Sequence, residues 1–307
     1  RRETQDACAA LADPNLVAVV QIAPAVRAAW GESLGLPPEK ATVNRMAAVL
    51  RALGFGYVFD TSFSADLTLM EEATEFLHRF KAGETQFLPM FTSCCPGWVR
   101  YLKGHYPDMT TRLSSAKSPQ QMFGAVAKNY LAAKIGVRPD QVYSVSIMPC
   151  VAKKAECDLP TMHTEAGRDV DLALTTRELV RMIRAEHLHP EMMAEEAFDS
   201  MEAALRSAYH MVNGQNPPPE AFRAVRGNAD GAPGWTEAEF DLGGATVKTA
   251  VVSGLGNTRQ LIEAVRAGRV HYDFVEVMAC PGGCAGGGGQ PHSPDDEELA
   301  RSRGQVL

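Results

Sequence analysis

The 307-residue chain is 45% hydrophobic and 22% charged, an ordinary globular composition with enough length for one large α/β core or two smaller ones. Its net charge of -7 excludes nucleic acid as the main partner, because phosphate binding needs a basic stripe. No apolar run approaches the roughly 20 residues of a membrane span, and the chain opens Arg1-Arg2 with no apolar signal core. A cytoplasmic protein is expected, with a periplasmic one left open because the N-terminus looks clipped.

In chain order, the β-branched run 17–22 predicts a strand, followed by Ala23-Pro24 and a helical pattern through Trp30. Residues 42–53 read as a helix with Thr42 as N-cap, and 57–59 as a short strand. The periodicity of 67–80 predicts a helix with Leu69, Ala73, Phe76, Leu77 and Phe80 as one apolar stripe. A strand is expected at 87–91, then a helix with Pro96 in its first turn. Residues 120–135 read as helix and 142–148 as strand. In the second half, 172–174 predicts a strand, 177–187 a helix and 192–212 a long helix. Loops rich in Pro, Gly and Asn follow at 214–220 and 227–234. Strand 246–252, helix 259–267 and strand 274–278 complete the pattern. Such alternation implies parallel sheets with helices on both faces.

Five of the seven cysteines fall in three islands: Thr92-Ser93-Cys94-Cys95-Pro96-Gly97-Trp98, Met148-Pro149-Cys150-Val151-Ala152-Lys153, and Met278-Ala279-Cys280-Pro281-Gly282-Gly283-Cys284 running into four consecutive glycines. Each island lies where a predicted strand ends, the edge of an α/β sheet at which ligands bind. An odd, low cysteine count argues against a disulfide scaffold. A cubane iron–sulfur cluster needs four thiolates; the simplest set is Cys95, Cys150, Cys280 and Cys284, with Cys94 as a spare thiol. The rival is a structural zinc site, but such sites favour Cys-x-x-Cys pairs and the chain has none. The glycines remove side-chain bulk where backbone must pass close to an inorganic centre.

The three islands, together with Lys153, Glu156 and the Glu276–Pro291 stretch, resemble the signature motifs of the iron-only ([FeFe]) hydrogenases. The resemblance runs from Gln21-Ile22-Ala23-Pro24 to Pro291. It implies an α/β fold of two lobes, each a small, mostly parallel sheet flanked by helices, with the metal cluster in the cleft between them. Residues 1–150, with the first two motifs, are expected to form one lobe and 151–307, with the third, the other. It also implies an H-cluster: a [4Fe–4S] cubane joined to a di-iron unit carrying CO, cyanide and an azadithiolate bridge, catalysing 2H⁺ + 2e⁻ ⇌ H₂.

Carried over by position, Cys95, Cys150 and Cys280 resemble cubane ligands and Cys284 the cysteine bridging to the di-iron unit. Cys94 resembles the thiol that passes protons. Lys153 resembles the lysine donating to a cyanide ligand, and Met148, Met278, Ala23, Pro24, Ser118 and Gln120 resemble residues lining the pocket. Glu72, Glu75 and Arg79 stand at helical spacings of three and four. With Ser114, or Ser115 beside it, and Cys94, the glutamates match the family's proton relay, with Arg79 near its mouth. Glu156 either orients Lys153 or caps a helical turn. Cys157 reads as a buried small residue, Cys8 is unassigned, and the eight histidines show no ligand spacing.

The chain departs from the family in two places. No Cys-x-x-Cys-x-x-Cys run marks the N-terminal ferredoxin-like modules, so electrons are expected from ferredoxin or another redox partner. A small subunit and the maturation proteins that insert the di-iron unit are further expected partners. Before Met201 the family's glycine-rich stretch with a phenylalanine is missing. The alternatives to a hydrogenase are a hydrogen sensor, an iron–sulfur assembly protein and an inactive relative of the same family.

Overall fold

The computed structural model describes residues 2–199, 234–242, 245–292 and 299–306. In chain order the first half contains α1 (Arg2–Ala12), β1 (Val17–Ile22), α2 (Pro24–Arg27), α3 (Val43–Ala52), β2 (Tyr57–Asp60), α4 (Ser62–Lys81), β3 (Met90–Phe91), α5 (Pro96–His105), α6 (Pro119–Val126), α7 (Ala132–Ile135) and β4 (Val142–Met148). The second half adds α8 (Ala152–Glu156), β5 (His163–Thr164), β6 (Gly167–Arg168), β7 (Leu172–Thr175), α9 (Thr176–Ala185), β8 (Trp235–Leu242), β9 (Ala245–Ser253), α10 (Leu255–Arg266), β10 (Phe274–Met278) and α11 (Leu299–Val306).

The fold is α/β, and the chain divides into two compact units. The first comprises Arg1–Asp66, Pro119–Glu202 and Cys284–Leu307; the second comprises Leu67–Ser118 and Ala203–Gly283. Neither is a contiguous half of the chain. A division at 150/151 would cut the first unit's sheet between β4 and β7, which pair in parallel from Val145–Leu172 to Met148–Thr175. A parallel neighbour can only be reached through a crossover connection, so sheet partners come from separated stretches of chain.

The first unit's sheet runs β2-β1-β4-β7, all parallel. Its central strand β1 is almost continuously apolar because both faces are covered. On one face Val20 and Ile22 pack with Trp30, Met46, Leu50, Ile147 and Leu179. On the other, Val19 packs with Phe59, Phe123 and Leu131. Thr42 caps α3 as expected, its hydroxyl accepting from Arg45 N at 3.2 Å. The predicted 120–135 helix is α6 and α7 joined through a π-helical turn at Ala127–Leu131, and Gly136 ends it in the left-handed region at φ 73°.

The second unit's sheet runs β3-β10-β9-β8. Strand β10 is parallel to β3 and β9, whereas β8 is antiparallel to β9. The antiparallel strand was not expected, and its cause is short: two residues, Gly243 and Gly244, separate β8 from β9, a connection that permits only a hairpin. Phe91, Trp98, Leu102, Leu261, Ile262, Val275 and Val277 form the core.

Three further expectations are corrected. The 87–91 strand is reduced to β3, because residues Thr85–Phe87 form a helical turn and Pro89 has no N–H for the ladder. The apolar stripe on α4 is only partly buried: Phe76 is covered but Leu69 is 47% exposed, and Thr68 and Glu72 occupy the buried side. The long helix at 192–212 is not present up to 199. Met192 ends a single turn (Pro190–Met192), and 193–199 carry neither helix nor strand. There Asp199 is tied to β2 instead, its backbone N bonding Val58 O at 2.8 Å and its carboxylate accepting from Val58 N at 2.7 Å. The rest of that stretch, from Ser200 on, the loop at 214–220 and nearly all of the loop at 227–234 lie outside the described residues, so of the region before Met201 only the part up to Asp199 is described. Among the described residues no helix is long and apolar enough to cross a membrane.

Close backbone packing fixes α6 within the first unit. A Cβ added at Gly124 would lie 2.2 Å from the Asp169 carbonyl oxygen. Gly124→Ala is therefore expected to destabilise the fold by about 1–3 kcal/mol, read as a lower midpoint in urea unfolding.

Candidate active site

Each unit brings two of the cysteine-bearing loops side by side. In the second unit β3 and β10 are parallel neighbours, so the first and third islands leave the same end of one sheet. Thr92 N donates to Val275 O at 3.1 Å, and Val277 N donates to the Thr92 hydroxyl at 3.1 Å. Beyond them Ala279 N donates to Cys95 Sγ at 3.4 Å, the kind of backbone donor that tunes a ligating thiolate. Cys95 is the N-cap of α5, with Pro96 at the first helical position. Met278 packs under the turn after Cys280: a Cβ on Gly283, whose φ is +67°, would lie 3.0 Å from the Met278 sulfur.

In the first unit β4 delivers Met148, Pro149 and Cys150, and the glycine run after Cys284 lies directly on them. Gly289 N donates to Pro149 O at 2.7 Å. A Cβ on Gly287 would lie 2.2 Å from that same oxygen, so only glycine permits the approach. The run is gripped from the start of α9. Arg177 Nη2 donates to Gly288 O at 2.8 Å and Nη1 to Gln290 O at 3.3 Å. The buried Gln290 accepts from the Thr176 hydroxyl at 2.7 Å and donates to Ala25 O at 2.6 Å. The loops of Cys150 and Cys284 and the Ala23-Pro24 turn thus adjoin. α9 is itself held by a capping box in which Glu178 Oε2 accepts from Thr175 N at 2.8 Å.

None of the seven cysteines is joined in a disulfide. Among the described residues no three His, Cys, Asp or Glu side chains come together as a single metal ion would need. In a cubane each thiolate binds its own iron, so the four sulfurs need not crowd around one ion. Thiols outside disulfides on paired loops, a backbone N–H aimed at one sulfur and a glycine cradle are features that fit an iron–sulfur group.

Lys153, Glu156 and Gln120 form a buried polar cluster in the first unit. Lys153 Nζ lies 3.0 Å from Glu156 Oε2, and both residues are less than a tenth exposed. Gln120 Nε2 faces Glu156 Oε2 at 3.1 Å and Lys153 O at 3.2 Å, while its Oε1 accepts from Ser146 at 2.7 Å. Gln21 Nε2 holds the Gln120 carbonyl at 2.9 Å, and Thr61 in turn donates to Gln21. Glu156 orients the ammonium rather than capping a turn. Cys157 packs behind this cluster, and burial pushes its thiol up to about 12, so it stays protonated. Cys8 is exposed on α1.

The second unit contains the carboxylates. Glu72 is 3% exposed, and its Oε1 accepts from Ser93 N, the residue before Cys94, at 3.2 Å. Burial raises its carboxyl from 4.5 to about 7, against the lowering effect of hydrogen bonds from Ser93 and Ser114 and with further upward pressure from Glu276 and Glu75. One turn on, Glu75 Oε2 accepts from the Ser114 hydroxyl at 2.9 Å, and Arg79 Nη2 reaches Glu75 Oε1 at 2.5 Å. Ser115 contributes only its backbone N to Glu75, so Ser114 presents the hydroxyl. Glu75 and Arg79 line an open cavity of 330 Å³ with His78, Glu84, Phe87 and Thr111. Ser118 is buried at the end of this unit.

Several contributors were not singled out from the sequence. Ser93 sits inside the first island and could have been flagged as a donor. Gln21, Thr61, Ser146, Thr176 and Arg177 carry no local signal, because their partners are between 26 and 114 residues away.

The Glu72 carboxyl generates a stability prediction with a definite sign. An acid whose folded value is raised is favoured neutral, so its contribution is intact below about 4.5 and is lost as pH rises towards 7. The difference corresponds to about 3 kcal/mol. Glu72→Gln is expected to flatten this loss, making the variant more stable than the parent at pH 8 but not at pH 4.5, as read from denaturant midpoints.

The family described as "Iron only hydrogenase large subunit, C-terminal domain" matches residues 17–288. The chain is 45% identical to the NADP-reducing hydrogenase subunit HndD of Solidesulfovibrio fructosivorans over 97% of its own length and 54% of that protein, so it spans about half of this relative. It is 32% identical to cytosolic iron-sulfur assembly component 3 of Bos taurus, over 92% of the chain and 64% of that protein. The structure of a variant of the [FeFe]-hydrogenase HydA1 from Chlamydomonas reinhardtii superposes with a TM-score of 0.83 at 37% identity, covering 99% of this chain and 87% of that one. The chain belongs to the iron-only hydrogenase large-subunit family and carries its C-terminal domain.

Proposed function

We propose that this chain is the catalytic region of an [FeFe] hydrogenase, interconverting protons and H₂. The observation that carries the reading is Glu72. It is buried, close to half-ionised at neutral pH, and bonded to the peptide beside Cys94, with the Ser114–Glu75–Arg79 chain leading from it to an open cavity. A group with that value can take or give a proton with little driving force either way, which suits a reversible relay.

Cys95, Cys150, Cys280 and Cys284 would hold the cubane, and Cys284 would also hold the di-iron unit with its CO, cyanide and azadithiolate ligands. When bound, this H-cluster supplies the electron store and the iron position at which H₂ is made or split. The Lys153 ammonium, held by Glu156, would face a cyanide ligand as a point charge. Ala23, Pro24, Met148, Met278, Ser118 and Gln120 would line the pocket and exclude water. Cys94 holds the proton nearest the reacting centre, Glu72 exchanges it, and Ser114 passes it to Glu75 through the hydroxyl that donates at 2.9 Å. Arg79 fixes Glu75 at the cavity wall. Electrons would come from ferredoxin, another redox partner or an associated subunit, and maturation proteins would insert the di-iron unit.

A second reading is an iron–sulfur assembly protein without H₂ chemistry, favoured by the 32% identity to cytosolic iron-sulfur assembly component 3. Infrared spectroscopy on protein matured with the di-iron cofactor separates the two. CO and cyanide bands that shift under H₂ support the hydrogenase; an empty window after competent maturation rejects it. Cys94→Ala or Glu72→Gln is expected to lower H₂ turnover by about 10²–10⁴-fold at unchanged iron content. Near-normal turnover in either variant would break the relay.

A further inference from the structure

We propose that Arg303, on α11, is a positioning residue for Cys284: anchored on Glu32, it clamps both ends of the glycine-rich loop that follows this cysteine. The inference rests on the reading of Cys284 as the cofactor's ligand. Arg303 lies outside all three cysteine islands, yet its side chain is 5% exposed. Its Nη1 donates to Ala285 O, the residue after Cys284, at 3.4 Å. Its Nη2 donates to Pro291 O at 2.8 Å, six residues further on. Nε donates to Glu32 Oε1 at 2.7 Å, and Nη2 also meets Glu32 Oε2.

The enclosed segment contains four consecutive glycines, 286–289, which have more backbone freedom than any other residue type. The Pro149 contact requires glycine at 287 and 289, so stiffness must come from elsewhere. Arg177 holds Gly288 and Gln290 in the middle of the loop, and Arg303 holds its two ends. A guanidinium suits the task, because its planar fork can donate to two carbonyls and a carboxylate at once. Glu32 neutralises the charge that this buries. A loop held this way fixes the direction from which Cys284 presents its sulfur.

The test uses the full chain matured with cubane and di-iron unit, comparing the parent with Arg303→Met, Arg303→Lys and Glu32→Gln. Circular dichroism and iron content after maturation without the di-iron unit report fold and cubane. Decay of the CO and cyanide infrared bands reports retention of the di-iron unit, and their widths report how uniformly it is held. The expected result is an unchanged fold and cubane in Arg303→Met, with band loss about tenfold faster and broader bands. Arg303→Lys should fall between that variant and the parent, and Glu32→Gln should shift in the same direction. Decay and widths equal to the parent's overturn the inference, as does loss of fold, cubane and di-iron unit together in Glu32→Gln. Should Arg303→Met not fold, Glu32→Gln decides by the same criteria. Absence of bands in the parent itself would instead defeat the hydrogenase reading on which the inference stands.

Discussion

Two peptide contacts organise the cysteine loops: Gly289 N–H on the Pro149 carbonyl, and Ala279 N–H on the Cys95 sulfur. The second follows from a constraint of the sheet. β3 and β10 are parallel neighbours, and parallel strands send their loops out at the same end of the sheet. Cysteines 185 residues apart in the chain, Cys95 and Cys280, therefore lie on loops joined by hydrogen bonds. Gly287 and Gly289 are required because the loop after Cys284 approaches Pro149 more closely there than a side chain would permit.

Around these loops the protein buries charged and polar groups in two contrasting ways. Lys153 and Glu156 are buried together, with Gln120, Ser146 and Gln21 locking the carboxylate and the backbone around them. Glu72 is buried among hydrogen-bond donors and near the charges of Glu75 and Glu276, and its carboxyl moves to about 7. The first arrangement keeps a positive charge in place. The second keeps a proton exchangeable. Two glutamates of the same chemistry thereby meet contrasting surroundings, one beside an ammonium and one without its charge being favoured.

The fold alone does not choose between chemistries. The same domain is shared with a hydrogenase subunit and with an iron–sulfur assembly component. What favours proton chemistry in this chain is local: the Glu72 carboxyl beside the first island, the Ser114 hydroxyl on Glu75, and an open cavity at Glu75 and Arg79.

Much was legible in the primary structure because it was written in short-range patterns. Apolar runs marked β1, β4 and β10, Thr42 marked the start of α3, and Pro96 marked the start of α5; the cysteine islands and the Glu72–Glu75–Arg79 spacing marked the candidate site. The tertiary structure decided what depends on distant partners. Sheet pairing interleaves the two units where a cut at 150/151 was expected, and the short link to β9 turns β8 antiparallel. Burial put Glu72 rather than Leu69 on the covered side of α4, and gave Arg177, Gln290 and Arg303 their grip on the Cys284 loop. Sequence alone could name the reactive side chains because their identity is local. Their environment is not local, since it is set by backbone and carboxylate groups that only the folded chain brings within hydrogen-bonding range.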